Sequence, residues 1–139
     1  MKKLFIVLLS LLMVLSLVGC SQKKEVVKMT PGTYTAVSTG FKGDIEVSVT
    51  VSEDKIENIE VLNHHETNGI GSEAMPYMSE NMLKYQTVNV DSCAGATVTS
   101  AGFRMAVKDA LSQAGADMEI FNARLKRVKQ LKKKSMSML

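Results

Sequence analysis

The chain has 139 residues, 45% of them apolar, with 17 lysines and arginines against 14 aspartates and glutamates. With the two ends set aside, roughly 90 residues remain, enough for one compact domain and too few for two, and two cysteines exclude a disulfide-stapled scaffold. The formal net charge of +3 is unevenly spread along the chain.

Lys2 and Lys3 precede an apolar run from Leu4 to Val18, which closes on Leu17-Val18-Gly19-Cys20. A cationic start, an apolar stretch shorter than a bilayer span and a small residue before a cleavage point read as a secretory signal over residues 1–19. Leu-Val-Gly-Cys resembles the bacterial lipobox, whose cysteine is lipidated and becomes the mature amino terminus. The resemblance implies a lipid anchor on Cys20 and an extracytoplasmic place at the cell membrane. Each buried methylene of such a chain adds about 0.8 kcal/mol of membrane affinity. An ordinary cleaved signal or a retained helical anchor is the alternative. Residues 20–30 follow as a polar tether. Export argues against a nucleic-acid partner, and with Cys20 lipidated no internal disulfide can form.

Residues 31–120 then make one domain. After the Pro31-Gly32 turn, Tyr34 to Val37 reads as a strand. Ile45, Val47, Val49 and Val51 alternate with Glu46, Ser48 and Thr50, the period of a strand with one buried face. Ser52 to Lys55 turns the chain, and Ile56 to Leu62 returns with Ile59 and Val61 on one side, completing a hairpin. His64 to Gly71 is an irregular loop in which Gly69 and Gly71 bracket Ile70. The paired histidines point to opposite faces, and no Cys/His/Asp spacing completes a ligand set, so no metal site is assigned.

Met75 to Tyr85 predicts a helix opened by Pro76, its Met75, Met78 and Met82 filling the core or walling a flat ligand. Val88 to Val90 predicts a short strand leading into Asp91-Ser92-Cys93-Ala94-Gly95-Ala96-Thr97-Val98-Thr99-Ser100. This run of small and hydroxyl side chains opens onto a helix whose stripe is Phe103, Ala106, Val107, Ala110, Leu111 and Ala114. Thr99 or Ser100 is its expected N-cap and Gly115 its stop. Close backbone approach at Gly95 and the unpaired amides of a helix start suit a phosphate. Cys93 reads as a small side chain tucked under this loop. Arg104, one turn into the helix, reaches a phosphate, a carboxylate such as Asp91, or solvent.

Seven basic residues occupy Arg124 to Lys134, with no acid after Glu119. Without them and the two signal lysines, 8 basic residues face 14 acidic ones, so an acidic body of about −6 carries a basic tail over residues 121–139. Phe121, Leu125, Val128 and Leu131 fall near helical spacing, which fits either an amphipathic helix on anionic lipid or a solvated terminus.

The Asp91 to Thr99 run resembles the flavinylation motif of the FMN-binding domain family, D-x-x-S/T-G-A-T followed by one residue and Thr or Ser. The family includes the C subunit of sodium-pumping NADH:quinone reductases and the G subunit of Rnf complexes. The resemblance implies FMN joined by a phosphoester to Thr97, with Asp91 required by a flavin transferase and Gly95 and Ala96 giving the tight approach. Thr99 and Ser100 complete that side of the candidate cofactor site. Ala94 stands where the family has Ser or Thr. Glu66-Thr67-Asn68-Gly69-Ile70-Gly71 resembles the family's E-T-P-G-L-G loop, with Asn68 in place of proline, and adds Glu66, Thr67, Gly69 and Gly71 as cofactor contacts. The implied fold is a small antiparallel sheet with two packed helices. The implied function is an FMN-binding electron carrier at the membrane, with unknown redox donor and acceptor proteins and no catalytic residues of its own. Two alternatives stay open: the FMN domain of a secreted FAD-dependent reductase of the fumarate reductase type, and a lipoprotein that binds flavin noncovalently.

Overall fold

The structure, a computed structural model, describes residues 28–138, without the side chains of 122–129. The signal segment and Cys20 lie outside the described residues. Three strands, β1 (Gly32–Thr39), β2 (Asp44–Val51) and β3 (Ile56–His64), form an antiparallel sheet in the order β1-β2-β3. Three helices follow: α1 (Gly71–Tyr85), α2 (Thr97–Gln113) and α3 (Met118–Ser137). The result is the expected small α+β fold.

The alternation in β2 sets the core. Ile45, Val47 and Val49 are fully buried and Val51 nearly so, while Glu46, Ser48 and Thr50 keep partial exposure on the other face. Opposite them on β3 stand Ile56, Ile59 and Val61, an uneven spacing with a physical cause. Register shifts leave Glu57 and Leu62 as extra residues on β3; the first returns Ile59 to the core face, and the second sets His64 opposite Ile45. Leu62 is thereby turned outward, 48% exposed.

Helix α2 packs across β1 and β2, and α1 lies beside it over β3. Phe103, Ala106, Val107, Ala110 and Leu111 are all fully buried, as the i, i+3, i+4 pattern requires. The helix comes very close at Gly102, where a Cβ would meet the Thr39 carbonyl oxygen and lie 3.0 Å from the Gly40 Cα. Gly115 stops α2 as expected. It adopts φ +78°, its amide donates to Ser112 O at 3.0 Å and that of Ala116 to Leu111 O at 3.0 Å, the two bonds of a Schellman motif.

Three expectations need correction. Helix α1 starts at Gly71 rather than at Met75, so Pro76 sits inside it. No side chain caps this start, and the usual sequence signal is therefore missing. Its methionines, Met75, Met78 and Met82, are fully buried core filling. Val88 to Val90 is not a strand. Val88 and Val90 are buried, but the Val90 carbonyl accepts from Arg104 Nη2 at 2.7 Å instead of joining a ladder. A β-branched run reported burial there, not pairing. Finally, the core reaches beyond the spans assigned to tether and tail. Met29 is buried, and its amide donates to Glu53 O at 2.8 Å. Phe121 is fully buried, and its carbonyl accepts from the buried Thr87 hydroxyl at 3.1 Å.

Asp117 caps α3, accepting from Glu119 N at 2.9 Å and Ile120 N at 3.4 Å. The basic tail is thus helical, and residues 130–138 are exposed throughout. Among the described residues no helix is long and apolar enough to cross a membrane.

Gly102→Ala tests the helix–sheet contact. Alanine gains about 1 kcal/mol in helix propensity, but the atoms in its way are backbone and cannot rotate aside. A net loss of about 1–3 kcal/mol, read from urea unfolding, is the expected outcome.

Candidate functional site

The site forms where the first turn of α2 meets the loop after β3. Gly95 turns the chain with φ +81°, the Ala96 amide donates to Cys93 O at 3.1 Å, and Thr97 enters the helix with its side chain exposed. The N-cap is Ala96, not Thr99 or Ser100, and it has no side-chain acceptor. Both hydroxyls have more distant partners: Thr99 donates to the Glu66 carboxylate, and Ser100 Oγ accepts from Cys93 N at 3.1 Å. The first turn holds no acidic residue either. Its amides and the positive end of the helix dipole are therefore left for an anion.

The facing wall is the loop from Glu66 to Gly71. Thr67 O accepts from Ile70 N at 3.3 Å and Ser72 N at 3.2 Å, and Gly69, at φ +76°, donates its amide to Ser72 Oγ at 3.0 Å. Glu66 is buried, and one of its oxygens accepts from Phe41 N at 2.8 Å and Lys42 N at 3.1 Å. Burial pushes its pKa up. Bonds from Thr99, Lys42 and Phe41, with the nearby His64, more than offset that and hold it below the ordinary 4.5.

Between these walls lies a cavity of about 290 Å³. Thr67, Gly71, Gly95, Ala96, Thr97 and Thr99 of the predicted set line it, joined by Phe41, Ile70 and Val98. The last three are 65%, 51% and 52% exposed, an apolar cluster left open to solvent. An exposed phenylalanine between Gly40 and Gly43 breaks no periodic pattern, so the sequence carried little to flag it. Ile70 also borders a second hollow of about 480 Å³ with Gly69, Tyr77, Ser92, Cys93 and Ala94.

Glu66, Gly69, Ser100 and Asp91 are not in the cavity lining. Glu66 and Ser100 brace its walls, and Asp91 is exposed ahead of the turn. Arg104 donates to Val90 O and, at 3.1 Å, to Ser92 Oγ, so it holds the backbone just before Asp91 and the side chain just after it. Cys93 is half-buried with its Sγ 3.8 Å from Ala74 O, tucked under the loop. Among the described residues no group of three or more His, Cys, Asp or Glu could hold a metal ion.

An anion-receptive helix start beside an open apolar hollow, on a two-layer α+β domain, suits a ligand that joins a phosphate to an apolar body. The FMN-binding domain family matches residues 40–112, and the chain belongs to that family. Its cofactor is FMN, as the Asp91 to Thr99 run implied. The chain is 38% identical over 100 residues to an NADH:acrylate oxidoreductase of Vibrio harveyi, covering 72% of this chain and 10% of that protein. It is 32% identical over 123 residues to a urocanate reductase of Eggerthella lenta, covering 84% of this chain and 20% of the reductase. A third relative, an uncharacterized protein of Treponema pallidum, is 30% identical over 93 residues, or 67% of this chain and 26% of that one. The chain therefore spans about a quarter or less of each of these relatives.

Because the folded-state pKa of Glu66 is lowered, its contribution to stability is fully present above pH 4.5 and lost as pH falls through the folded value. Unfolding free energy should decline over that acid window in the wild type and decline less in Glu66→Gln. Glu66→Ala strands two backbone donors and should cost about 2–3 kcal/mol at neutral pH, measured by denaturant unfolding.

Proposed function

We propose that the protein is a membrane-anchored, extracytoplasmic electron carrier that holds FMN through a phosphoester on Thr97. The observation that carries this reading is the exposed Thr97 hydroxyl at the first position of a helix whose N-cap offers no side chain. A phosphate esterified there would take the free amides of the first turn. Phe41, Ile70 and Val98 would cover the ring and exclude water, while Gly95, at φ +81°, makes the turn that leads into Thr97. FMN supplies one- and two-electron transfer, and the chain supplies position and a dry wall.

Attachment needs a flavin transferase and a flavin dinucleotide as donor. The Thr97 Oγ–P bond forms as the bond to the leaving nucleotide breaks, and the hydroxyl proton is released. Asp91, exposed ahead of the turn, is the residue we assign to transferase recognition. A covalent cofactor suits an exported carrier, since a dissociated flavin would be lost outside the cytoplasm. Lipid on Cys20 would hold the domain at the membrane, where exposed Lys132, Lys133 and Lys134 on α3 suit anionic headgroups.

A second reading makes this chain the FMN domain of a larger reductase. It draws on the two oxidoreductases, of which the matching stretch is 10% and 20%. Translating the adjoining DNA for an FAD-binding G-x-G-x-x-G segment separates the two, because the carrier reading expects none.

Intact mass after co-expression with a flavin transferase tests the covalent link. The wild type should gain the mass of FMN less one water and stay yellow when denatured. Thr97→Ala should gain nothing, and Asp91→Ala should remain unmodified. An unmodified wild type overturns the phosphoester.

A further inference from the structure

The geometry points to Glu66 as the positioning residue of the flavin site, acting through Phe41 and Thr99 and not through contact with the cofactor. This inference rests on the FMN reading above. The cavity takes its walls from three segments far apart in the chain: the β1–β2 turn at Phe41, the loop from Thr67 to Gly71, and the first turn of α2 at Thr97 to Thr99. The β2–β3 ladder, which ends at the Ile45 and His64 pair, brings the first two near each other but does not join all three. The Glu66 side chain does: one oxygen receives the amides of Phe41 and Lys42, and the other receives the Thr99 hydroxyl.

The surroundings are shaped to that carboxylate. A Cβ on Gly40 would run into its Oε1 and lie 2.7 Å from Ile45 Cδ1. One on Gly71 would lie 2.8 Å from Glu66 Cβ and 3.1 Å from Thr99 Oγ1. Gly102 then lets α2 sit directly on Gly40, with 3.0 Å between a Cβ there and the Gly40 Cα. Three glycines thus close backbone around one side chain that is 6% exposed. Its own amide is also held, donating to His64 Nδ1 at 3.2 Å. A side chain so enclosed, with both oxygens engaged, has no face to offer the flavin. What it fixes is the distance between the Phe41 wall and the turn that carries Thr97.

Length and charge can be separated by substitution. Glu66→Gln keeps the reach: its carbonyl oxygen can accept both amides, and its NH2 can donate to Thr99, whose hydroxyl then accepts. Glu66→Asp keeps the charge and loses one methylene, so it cannot reach both partners. A positioning role therefore ranks Gln above Asp, whereas a charge read by the flavin or the transferase ranks Asp above Gln. Thr99→Val removes one leg of the clasp without changing its volume.

The experiment is the initial rate of Thr97 modification by limiting flavin transferase, followed by intact mass, with each variant held well below its own thermal midpoint. Glu66→Gln should stay within about threefold of the wild type, while Glu66→Asp and Thr99→Val should slow by about tenfold or more. Glu66→Asp matching the wild type while Glu66→Gln is slow overturns the inference, as does equal modification of all variants. An unmodified wild type is instead the failure of the phosphoester reading. The same three substitutions made in Thr97→Ala and titrated with free FMN by fluorescence quenching then decide: Gln binding more tightly than Asp supports positioning, and the reverse order or no difference overturns it.

Discussion

The burial of the α2 stripe against β2 is the contact on which the rest of the molecule depends. Phe103, Val107 and Leu111 meet the Ile45, Val47 and Val49 face with every one of these side chains fully buried. Each large apolar side chain so placed contributes about 1.5–3 kcal/mol. Because the stripe runs the length of α2, its docking fixes both helix ends. One end carries Thr97 to the cavity, and the other hands the chain through Gly115 to α3. A loop alone could not hold a hydroxyl at a fixed height above the sheet.

Polar bonds then tune what apolar burial positions coarsely. Arg104 holds the Val90 carbonyl and the Ser92 hydroxyl, Ser100 fixes the Cys93 amide, and Glu66 ties the walls to one another. Gln86 does the same at the far side: its amide accepts from Ile56 N at 2.8 Å and donates to Ile56 O at 2.9 Å, pairing with the start of β3 as a strand would. Most of these link residues distant in sequence, and most use a side chain to complete a backbone group with no ladder partner.

That division explains what the sequence made legible. Strand β2 and helix α2 declare themselves because their periods are local and their faces are wholly apolar or wholly polar. Gly115 is legible because a left-handed stop has one favoured residue. The roles of Thr99 and Ser100 are not. Both are good capping residues, and only the fold reveals that Glu66 and Cys93 claim their hydroxyls first. Motif resemblance found Thr97 and the Glu66 to Gly71 loop but not Phe41, which reaches the site from a turn more than 20 residues before that loop. Nor could it separate wall residues from bracing residues, since both belong to one short run.

The two bulges of β3 bear on more than register. Among the described residues the order β1-β2-β3 leaves both outer strands as edges, and an open edge offers its amides and carbonyls to any extended chain. On β3 the extra residues at Glu57 and Leu62 break the regular spacing that a second strand would have to match. On β1 the Gln113 side chain donates to Thr35 O at 2.8 Å, closing a carbonyl on that edge. The β3 side is therefore a poor template for a further strand, and the β1 side has one carbonyl fewer to offer.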